Sequence, residues 1–237
     1  ETGDKIVINT GAQANIPNIK GIDTTKNIYD STGLLNIDFQ SQELVIVGGG
    51  YIALEFASMF SNLGSNVTVL EYGNVMMPRE DREVAELAIQ DLRNKGISVY
   101  TNVETTAFSN EGDATIVHTN QGDFKSDAVL LATGRKPNTD GLGLENTDIN
   151  IGQHGEIVVN DKLQTTVEHI YAAGDVKGGL QFTYISLDDF RILQSQFFGD
   201  GTRTTENRGI IPYTVFIDPP LSRVGLTATE AKAQGFN

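Results

Sequence analysis

Three small residues and one acid carry the strongest chemical signal in this sequence of 237 residues. Gly48, Gly50 and Ala53 fill the small-residue positions of a G-x-G-x-x-A pattern, and Glu71 follows about 20 residues later. The first glycine permits a tight turn, the second lets backbone approach a pyrophosphate, and the small third residue allows close helix packing. A carboxylate at that distance can accept hydrogen bonds from a ribose 2′-hydroxyl. The pattern therefore predicts a dinucleotide-binding site.

The other loop positions are Gly49, Tyr51 and Ile52, and we expect them to lie beside the bound diphosphate. A helix that starts near Tyr51 would direct its free N–H groups and its positive dipole end at the phosphates. A bare strand–turn–helix joint is the alternative interpretation. It is disfavoured because it leaves Glu71 without a role.

The flanking pattern supplies the elements that would position these residues. Leu44–Val47 is a short apolar run of strand length, Tyr51–Leu63 has apolar residues at helical spacing, and Asn66–Leu70 predicts a second buried strand. Gly64 would end the helix. Together these segments predict a βαβ unit with the glycine loop at its first turn.

Shorter signals organise the remainder of the chain. Asp30 is predicted to cap a short helix, and Ala12–Ile22 to be a connector. Longer helices are predicted at Arg79–Lys95, at about Gln181–Phe198 and from Thr229. A meander of three antiparallel strands is predicted at Thr105–Phe108, Ala114–Thr119 and Asp123–Lys125. The other predicted strands are Lys5–Asn9, Ile97–Thr101, Asp127–Thr133, Ile157–Val159, His169–Ala173 and Ile211–Ile217.

Composition narrows the class of protein. A net charge of −14 argues against nucleic acid and anionic membrane surfaces as partners. The chain has no cysteine, which excludes a disulfide or a thiol nucleophile within it. His118, His154 and His169 are scattered, so no metal site is expected. No export signal or membrane-spanning run is visible, and we expect a cytoplasmic protein.

A second nucleotide site is suggested by two strand ends. Thr10-Gly11 follows one predicted strand in the same way that Thr133-Gly134 follows another, and Asp175 ends a third. Ligands of open α/β sheets bind at these carboxyl ends. The helix predicted from Gln181 would direct its N-terminus at the same ligand. Asp175 could instead be a turn or cap residue, and the residues alone leave that alternative open.

The sequence resembles the class I pyridine nucleotide–disulfide oxidoreductases, such as glutathione reductase and lipoamide dehydrogenase. The family's pieces occur in its order, at Thr10-Gly11, Gly48–Ala57, Glu71, Ala132–Asn138, Tyr171–Asp175, Pro212–Phe216 and Pro219–Gly225. Within the family, the runs STGLL, MPREDR and GGLQFTYISLDDFRI look most like the bacterial reactive-chlorine-resistance flavoproteins (RclA-like).

This resemblance implies an α/β fold of the Rossmann-like FAD/NAD(P)-binding type, with an antiparallel meander as one crossover. It implies an FAD-binding part at residues 1–39 and 161–205, an NAD(P)-binding domain at 40–160, and the start of an interface domain at 206–237. The family's redox C-x-x-x-x-C and its catalytic His–Glu pair have no counterpart in this chain. We therefore expect a central fragment of a homodimeric parent enzyme. A complete reductase without thiols is the rival explanation.

The resemblance also implies roles for named residues. The parent would pass hydride from NAD(P)H to FAD, then to a cysteine pair and an acceptor such as an oxidised thiol, hypothiocyanous acid or copper(II). Tyr51 would cover the nicotinamide side of the flavin, and Glu55 would pair with a lysine outside this chain. Val103 and Gly134 would line the NAD site. The FAD contacts would be Thr10, Gly11, Asp175, Gln181, Phe182, Thr183 and Tyr184.

Glu71 bears on the choice of nucleotide, because a carboxylate accepts from a free 2′-hydroxyl and repels a 2′-phosphate. No lysine or arginine follows it before Arg79, so we expect NADH to be preferred over NADPH. A different class of function also fits the intact fingerprint. The chain could be an NADH-binding or redox-sensing Rossmann module that does not turn over a substrate.

Overall fold

The computed structural model describes residues 2–236. Within that range lie five α-helices and two short 3-10 helices, the latter at Leu144–Asn146 and Gly174–Lys177. The α-helices are α1 (Ser31–Leu35), α2 (Tyr51–Asn62), α3 (Arg82–Asn94), α4 (Thr183–Phe198) and α5 (Ala228–Ala233).

The strands of the described residues are short, as expected of an α/β protein with many turns. They are β1 (Ile6–Ile8), β2 (Ala12–Ala14), β3 (Ile28–Tyr29), β4 (Glu43–Val47), β5 (Asn66–Leu70), β6 (Ser98–Tyr100), β7 (Thr105–Glu111), β8 (Ala114–Thr119), β9 (Gly122–Ser126), β10 (Ala128–Leu131), β11 (Arg135–Pro137), β12 (Ile170–Ala172), β13 (Tyr213–Val215) and β14 (Leu221–Arg223).

Contacts between Cα atoms divide the chain into two compact units. The first unit contains the residues up to Gln13 and Arg135–Ile211. The second contains Ala14–Gly134 and the residues from Pro212 onward. Each unit is described below by itself.

A five-stranded parallel sheet forms the centre of the second unit, in the order β3–β10–β4–β5–β6. Val45 of β4 pairs with Val129 of β10 on one side and with Thr68 of β5 on the other. Four consecutive residues of β4 and all of β10 are buried. Such continuous apolar runs are typical of parallel strands covered on both faces, which is why the sequence predicted them well.

A meander of three antiparallel strands, β7–β8–β9, follows β6 as predicted. Its inward side chains, Phe108 and Val117, share one core cluster with Val45, Leu70 and Val129 of the central sheet. A chain of hydrogen bonds also crosses the meander, from Ser109 Oγ through His118 to Asp123. The meander therefore packs on the sheet and takes the place of one crossover helix.

The last part of the second unit is the antiparallel pair β13–β14, followed by α5. Thr227 and Glu230 form a capping box at the start of α5, with each side chain bonded to the other residue's backbone N–H. Asp81 stands at the N-cap position of α3, but its carboxylate accepts a hydrogen bond from Ala228 N at 2.9 Å. The C-terminal segment is thus tied to the start of α3.

The first unit contains the parallel pair β1–β12 and helix α4. Its core cluster is made by aliphatic side chains on β12, in the loops before it and in the 3-10 helix after it, namely Ile149, Ile157, Ile170, Ala172 and Val176. A second cluster joins Tyr171 and Ala173 to Ile192 and Leu193 of α4. These contacts pack the middle of α4 against the end of β12.

A buried ionic cluster surrounds Asp188 and Asp189 in the first half of α4. Asp189 is completely buried and accepts a hydrogen bond from Gly174 N at 2.8 Å. Lys177 Nζ lies 3.3 Å from the same carboxylate, and Arg208 Nη2 also bonds to it. Asp188 pairs with Arg203 and Arg208. The carboxylate of Asp189 therefore holds the turn that follows β12.

Several of the predicted elements differ from the structure. The first strand of the meander continues to Glu111 instead of ending at Phe108, and the strand predicted at Ile211–Ile217 is limited to Tyr213–Val215. Helix α3 begins at Arg82 and not at Arg79, because Glu80 turns inward and Asp81 has an extended backbone. The predicted strand Ile157–Val159 is reduced to an isolated bridge between Ile157 and Ile151, since Ile157 N donates to Val176 O. The predicted connector Ala12–Ile22 contains the short strand β2.

No helix within residues 2–236 combines the length and apolar character needed to cross a lipid bilayer.

Candidate functional site

The glycine loop lies between the end of β4 and the start of α2. Gly48 has φ +114°, and a Cβ there would come within 2.3 Å of Ala132 O, so the turn requires glycine. Gly48 N donates to Leu70 O at 2.8 Å, which joins the end of β4 to the end of β5. Gly50 is the N-cap residue of α2, and a Cβ built on it would meet no atom within 4 Å. The loop thus leaves open space at the helix N-terminus.

A cleft of about 530 Å³ opens in front of this loop, at the carboxyl ends of β4, β5 and β10. Six of the residues predicted from the sequence line it, namely Gly48, Gly49, Gly50, Glu71, Val103 and Gly134. Sequence reasoning missed several others, including Pro17, Ile19, Tyr72, Pro78, Glu104 and Thr105. Pro17 and Ile19 belong to the aperiodic connector, and nothing in their local pattern indicates that this segment reaches the strand ends.

Of the described residues, Glu71 is one of the two acidic side chains that line the cleft. Its backbone continues the sheet edge, with Glu71 N bonded to Tyr100 O and Val103 N bonded to Glu71 O, both at 2.9 Å. Oε1 accepts from Gly73 N at 2.6 Å, and no cation of residues 2–236 pairs with the carboxylate. Among the described residues that line the cleft, two are carboxylates, Glu71 and Glu104, and none is lysine or arginine.

This arrangement has the groups that a dinucleotide would need. The open side of Gly50 and the N-terminus of α2 could receive a diphosphate, since nothing would obstruct its approach to the backbone. The free acceptor capacity of Glu71 suits a ribose hydroxyl. The backbone donors and the carboxylate acceptor of the cleft therefore fit a pyridine dinucleotide.

Behind the loop, Ala53 of α2 is completely buried, which leaves no room for a larger residue without repacking. Ile52 beside it is half-buried. Glu55, one turn further along, has a partner that the sequence did not reveal. Its Oε1 accepts from Phe216 N at 2.9 Å.

Tyr51 does not line the cleft. Its hydroxyl donates to Glu80 Oε1 at 2.7 Å, and its ring centroid lies 5.9 Å from that of Tyr213. The Tyr213 hydroxyl bonds to the same carboxylate oxygen, and Arg223 Nη1 lies 3.7 Å from Glu80 Oε2. Burial, and beyond it the hydrogen bond to Glu80, raises the pKa of Tyr213. Burial also raises the pKa of Tyr51.

The residues predicted for a second site lie in the first unit. Thr10 Oγ1 donates to Asn138 O at 2.7 Å, and Asn138 N donates to Gly11 O, so the end of β1 is joined to this loop. Asp175 is half-buried in the 3-10 helix after β12, and its carboxylate has no hydrogen-bond partner among the described residues. That carboxylate could accept from a polyol hydroxyl.

The start of α4 carries the remaining predicted residues. Phe182 is its N-cap residue and stacks on Tyr184 with ring centroids 5.4 Å apart, while Thr183 is exposed and Gln181 half-exposed. An apolar groove of about 290 Å³ elsewhere on this unit is lined by none of them. Within residues 2–236 no three His, Asp or Glu side chains are grouped to hold a metal ion.

Comparison with known proteins shows the family of this chain. The family described as "Pyridine nucleotide-disulphide oxidoreductase" matches residues 1–189. "Probable pyridine nucleotide-disulfide oxidoreductase RclA" of Escherichia coli (strain K12) is 48% identical over 233 residues, which cover 98% of this chain and 53% of that protein. A mercuric reductase of Staphylococcus aureus is 34% identical over 100% of this chain and 44% of its own length.

A solved structure is similar over the same span. The Cu(II) complex of the HOCl-induced flavoprotein disulfide reductase RclA from Escherichia coli superposes with a TM-score of 0.95 and 48% identity. The match covers 98% of this chain and 54% of that one. The chain therefore spans about half the length of the relatives that it matches.

Proposed function

This chain belongs to the pyridine nucleotide-disulphide oxidoreductase family. We propose that it provides the NADH site and part of the FAD site of a flavin-dependent disulfide oxidoreductase. The observation that carries the proposal is the cleft at the ends of β4, β5 and β10. There an open glycine backbone and an unpaired carboxylate face the same space.

The glycine loop would bind the diphosphate of NADH. Gly48 supplies the turn, and Gly50 exposes backbone at the N-terminus of α2, where N–H groups are not used within the helix. Gly49, Ile52 and the small Ala53 complete the loop and its packing. Val103 and Gly134 would contact the rest of the nucleotide from the neighbouring strand ends.

Glu71 would accept hydrogen bonds from the 2′-hydroxyl of the adenosine ribose. Its carboxylate and that of Glu104 are the charged side chains among the described residues lining the cleft. A 2′-phosphate placed there would face like charge without a compensating cation, and electrostatic repulsion would disfavour it. We therefore assign NADH as the preferred nucleotide.

FAD would be held by the first unit, through Thr10, Gly11, Asp175 and the stretch from Gln181 to Tyr184. The half-buried carboxylate of Asp175 is suited to accept from a ribityl hydroxyl, and the start of α4 would favour an electronegative ligand atom. The bound nucleotide and flavin would supply the hydride-transfer chemistry, which side chains do not provide. Tyr51, whose side chain lies outside the cleft, would cover the nicotinamide side of the flavin, and Glu55 would lie one helical turn behind it.

For the whole protein we propose the domain pattern that the sequence suggested. Residues 1–39 and 161–205 would belong to an FAD-binding domain, 40–160 to an NAD(P)-binding domain and 206–237 to an interface domain of a cytoplasmic homodimer. The acceptor would be a small-molecule oxidant such as an oxidised thiol, hypothiocyanous acid or copper(II). Copper(II) is supported by the Cu(II) complex of the solved relative.

Calorimetric titration of this chain with NADH and NADPH tests the proposal. We expect NADH to bind in a one-to-one complex and NADPH to bind more weakly. Visible absorbance of the purified chain reports separately on retained flavin. Failure to bind NADH would overturn the assignment of the cleft, whatever the flavin content.

Turnover by the complete protein separates the enzyme from a sensor. NADH oxidation that depends on an added acceptor supports the oxidoreductase. NADH binding without turnover in a complete, flavin-loaded protein would favour a redox-sensing module instead.

A further inference from the structure

Glu80 is a glutamate in a buried position, which is unusual for a charged residue. It lies in the turn before α3, is only 6% exposed and is contacted by groups from three other elements of the second unit. The hydroxyls of Tyr51 and Tyr213 both bond to Oε1, and Arg223 Nη1 is 3.7 Å from Oε2. A buried carboxylate is retained at low energy only when it is hydrogen-bonded and paired, and these contacts meet that condition.

The segment that carries Glu80 also borders the nucleotide cleft. Pro78 lines the cleft, and Met76 Sδ lies 2.7 Å from the position that a Cβ on Gly49 would take. Tyr51 directly follows Gly50 of the glycine loop, yet its side chain is turned to Glu80 and does not line the cleft. One short segment therefore contacts the loop and restrains the first side chain of α2.

We propose that Glu80 is a positioning residue for nucleotide binding, holding the Tyr51 ring out of the cleft through the Tyr51–Glu80 hydrogen bond. The proposal rests on the NADH assignment of the cleft. Tyr213 and Arg223 hold Glu80 in turn, since the guanidinium lies over the Tyr213 ring at 5.0 Å and Arg223 Nη1 donates to Arg79 O. The pair β13–β14 thereby contributes to the geometry of the nucleotide site without touching the nucleotide.

The hydrogen bond requires a protonated phenol as donor. Burial raises the pKa of Tyr51 and of Tyr213, so both hydroxyls remain donors throughout the neutral range. Without the carboxylate, the Tyr51 ring would gain rotamer freedom, and some of its orientations would cover the space beside Gly50. Binding of NADH would then require that these orientations be excluded, which lowers the affinity.

A double-mutant cycle measures this coupling by NADH calorimetry. We expect Glu80→Ala and Tyr51→Phe each to weaken NADH binding by about tenfold, the worth of one hydrogen bond to a charged group. In the Tyr51→Phe background, Glu80→Ala should have little further effect, because the shared bond is already lost. Glu80→Gln keeps an acceptor oxygen and should restore most of the affinity. Glu86→Ala, which removes an exposed carboxylate of α3, is the matched control.

Urea unfolding of each variant separates positioning from loss of structure. A purely structural role would lower the free energy of unfolding without the coupling between Tyr51 and Glu80 in NADH affinity. Additive effects of the two substitutions on NADH affinity, or unchanged NADH affinity in folded Glu80→Ala, would overturn the role of Glu80. The assignment of the cleft to NADH would then still stand. If the unmodified chain binds no NADH, both the assignment of the cleft and the proposed role of Glu80 fail.

Discussion

The carboxylate of Glu71 lies against the glycine loop, so close that a Cβ on Gly49 would come within 2.7 Å of Glu71 Oε2. Residues on two different strand ends thus share one small space. The relationship explains why small residues and an acid occur together in this pattern. In the proposed complex with NADH, the loop would face the diphosphate and the acid would face the adjoining ribose.

Gly50→Ala should weaken nucleotide binding without harming the fold. Gly50 has φ −82°, and a Cβ there meets no protein atom within 4 Å, so alanine fits the backbone but would occupy the space proposed for the diphosphate. We expect calorimetry to show NADH binding weakened by at least about tenfold, equivalent to 1.4 kcal/mol. The free energy of unfolding should change by less than about 0.5 kcal/mol.

Gly48→Ala should differ from Gly50→Ala by lowering the stability of the fold. With φ +114° and a Cβ 2.3 Å from Ala132 O, this substitution should destabilise the fold itself, by about 1–3 kcal/mol or more. Urea unfolding measures the difference. Equal stability of the two variants would contradict the account of the loop.

Glu71→Gln should narrow the preference for NADH over NADPH. Glutamine retains an oxygen that can accept from Gly73 N, so the turn after β5 is preserved, but the charge that repels a 2′-phosphate is gone. The ratio of the two dissociation constants is the measurement. Glu104→Gln removes a second lining carboxylate, and we expect a smaller shift in the same direction. An unchanged ratio in Glu71→Gln would rule out its role in selection.

Asp189→Ala should destabilise the protein by about 3–5 kcal/mol, because it removes the carboxylate partner of Lys177 and one of the two carboxylate partners of Arg208, two side chains that are only 11% exposed. Asp189→Asn keeps an acceptor for Gly174 N and should be less harmful. Chemical denaturation provides the free energies. Glu206→Ala, an exposed change in the same unit, serves as control and should stay within about 0.5 kcal/mol of the unmodified chain. Similar values for Asp189→Ala and the control would refute a buried ionic cluster.

Alkaline pH should destabilise the chain through Tyr51 and Tyr213. Both have a pKa raised by burial, so the unfolded chain releases their protons first. The corresponding stability is fully present below the ordinary tyrosine pKa of about 10 and is lost as pH rises beyond it. Tyr213→Phe should flatten this loss in unfolding experiments across that range. Tyr72→Phe, at a side chain that is 74% exposed, should leave the pH dependence as it was.

The central βαβ unit could be predicted closely because its signals are local. Apolar runs of strand length, a helical period and a stop glycine place β4, α2 and β5 within one residue of their observed bounds. The three strands of the meander after β6 are also predicted, although the first one ends at Glu111 and not at Phe108. Helix α3 begins later than predicted, because its first predicted turn is used to bury Glu80.

Sequence alone determined the glycine loop, the acid after β5 and the strand ends that carry Thr10 and Asp175, since each follows from the residue types within a short window. Tertiary structure decided which groups meet. Glu80 bonds to Tyr213 across 133 residues of chain, and Glu55 accepts from Phe216 N across 161. Pro17 and Ile19 reach the cleft from a connector without any period. Hydrogen bonds between distant segments depend on the path of the whole chain, and no local pattern of residue types encodes that path.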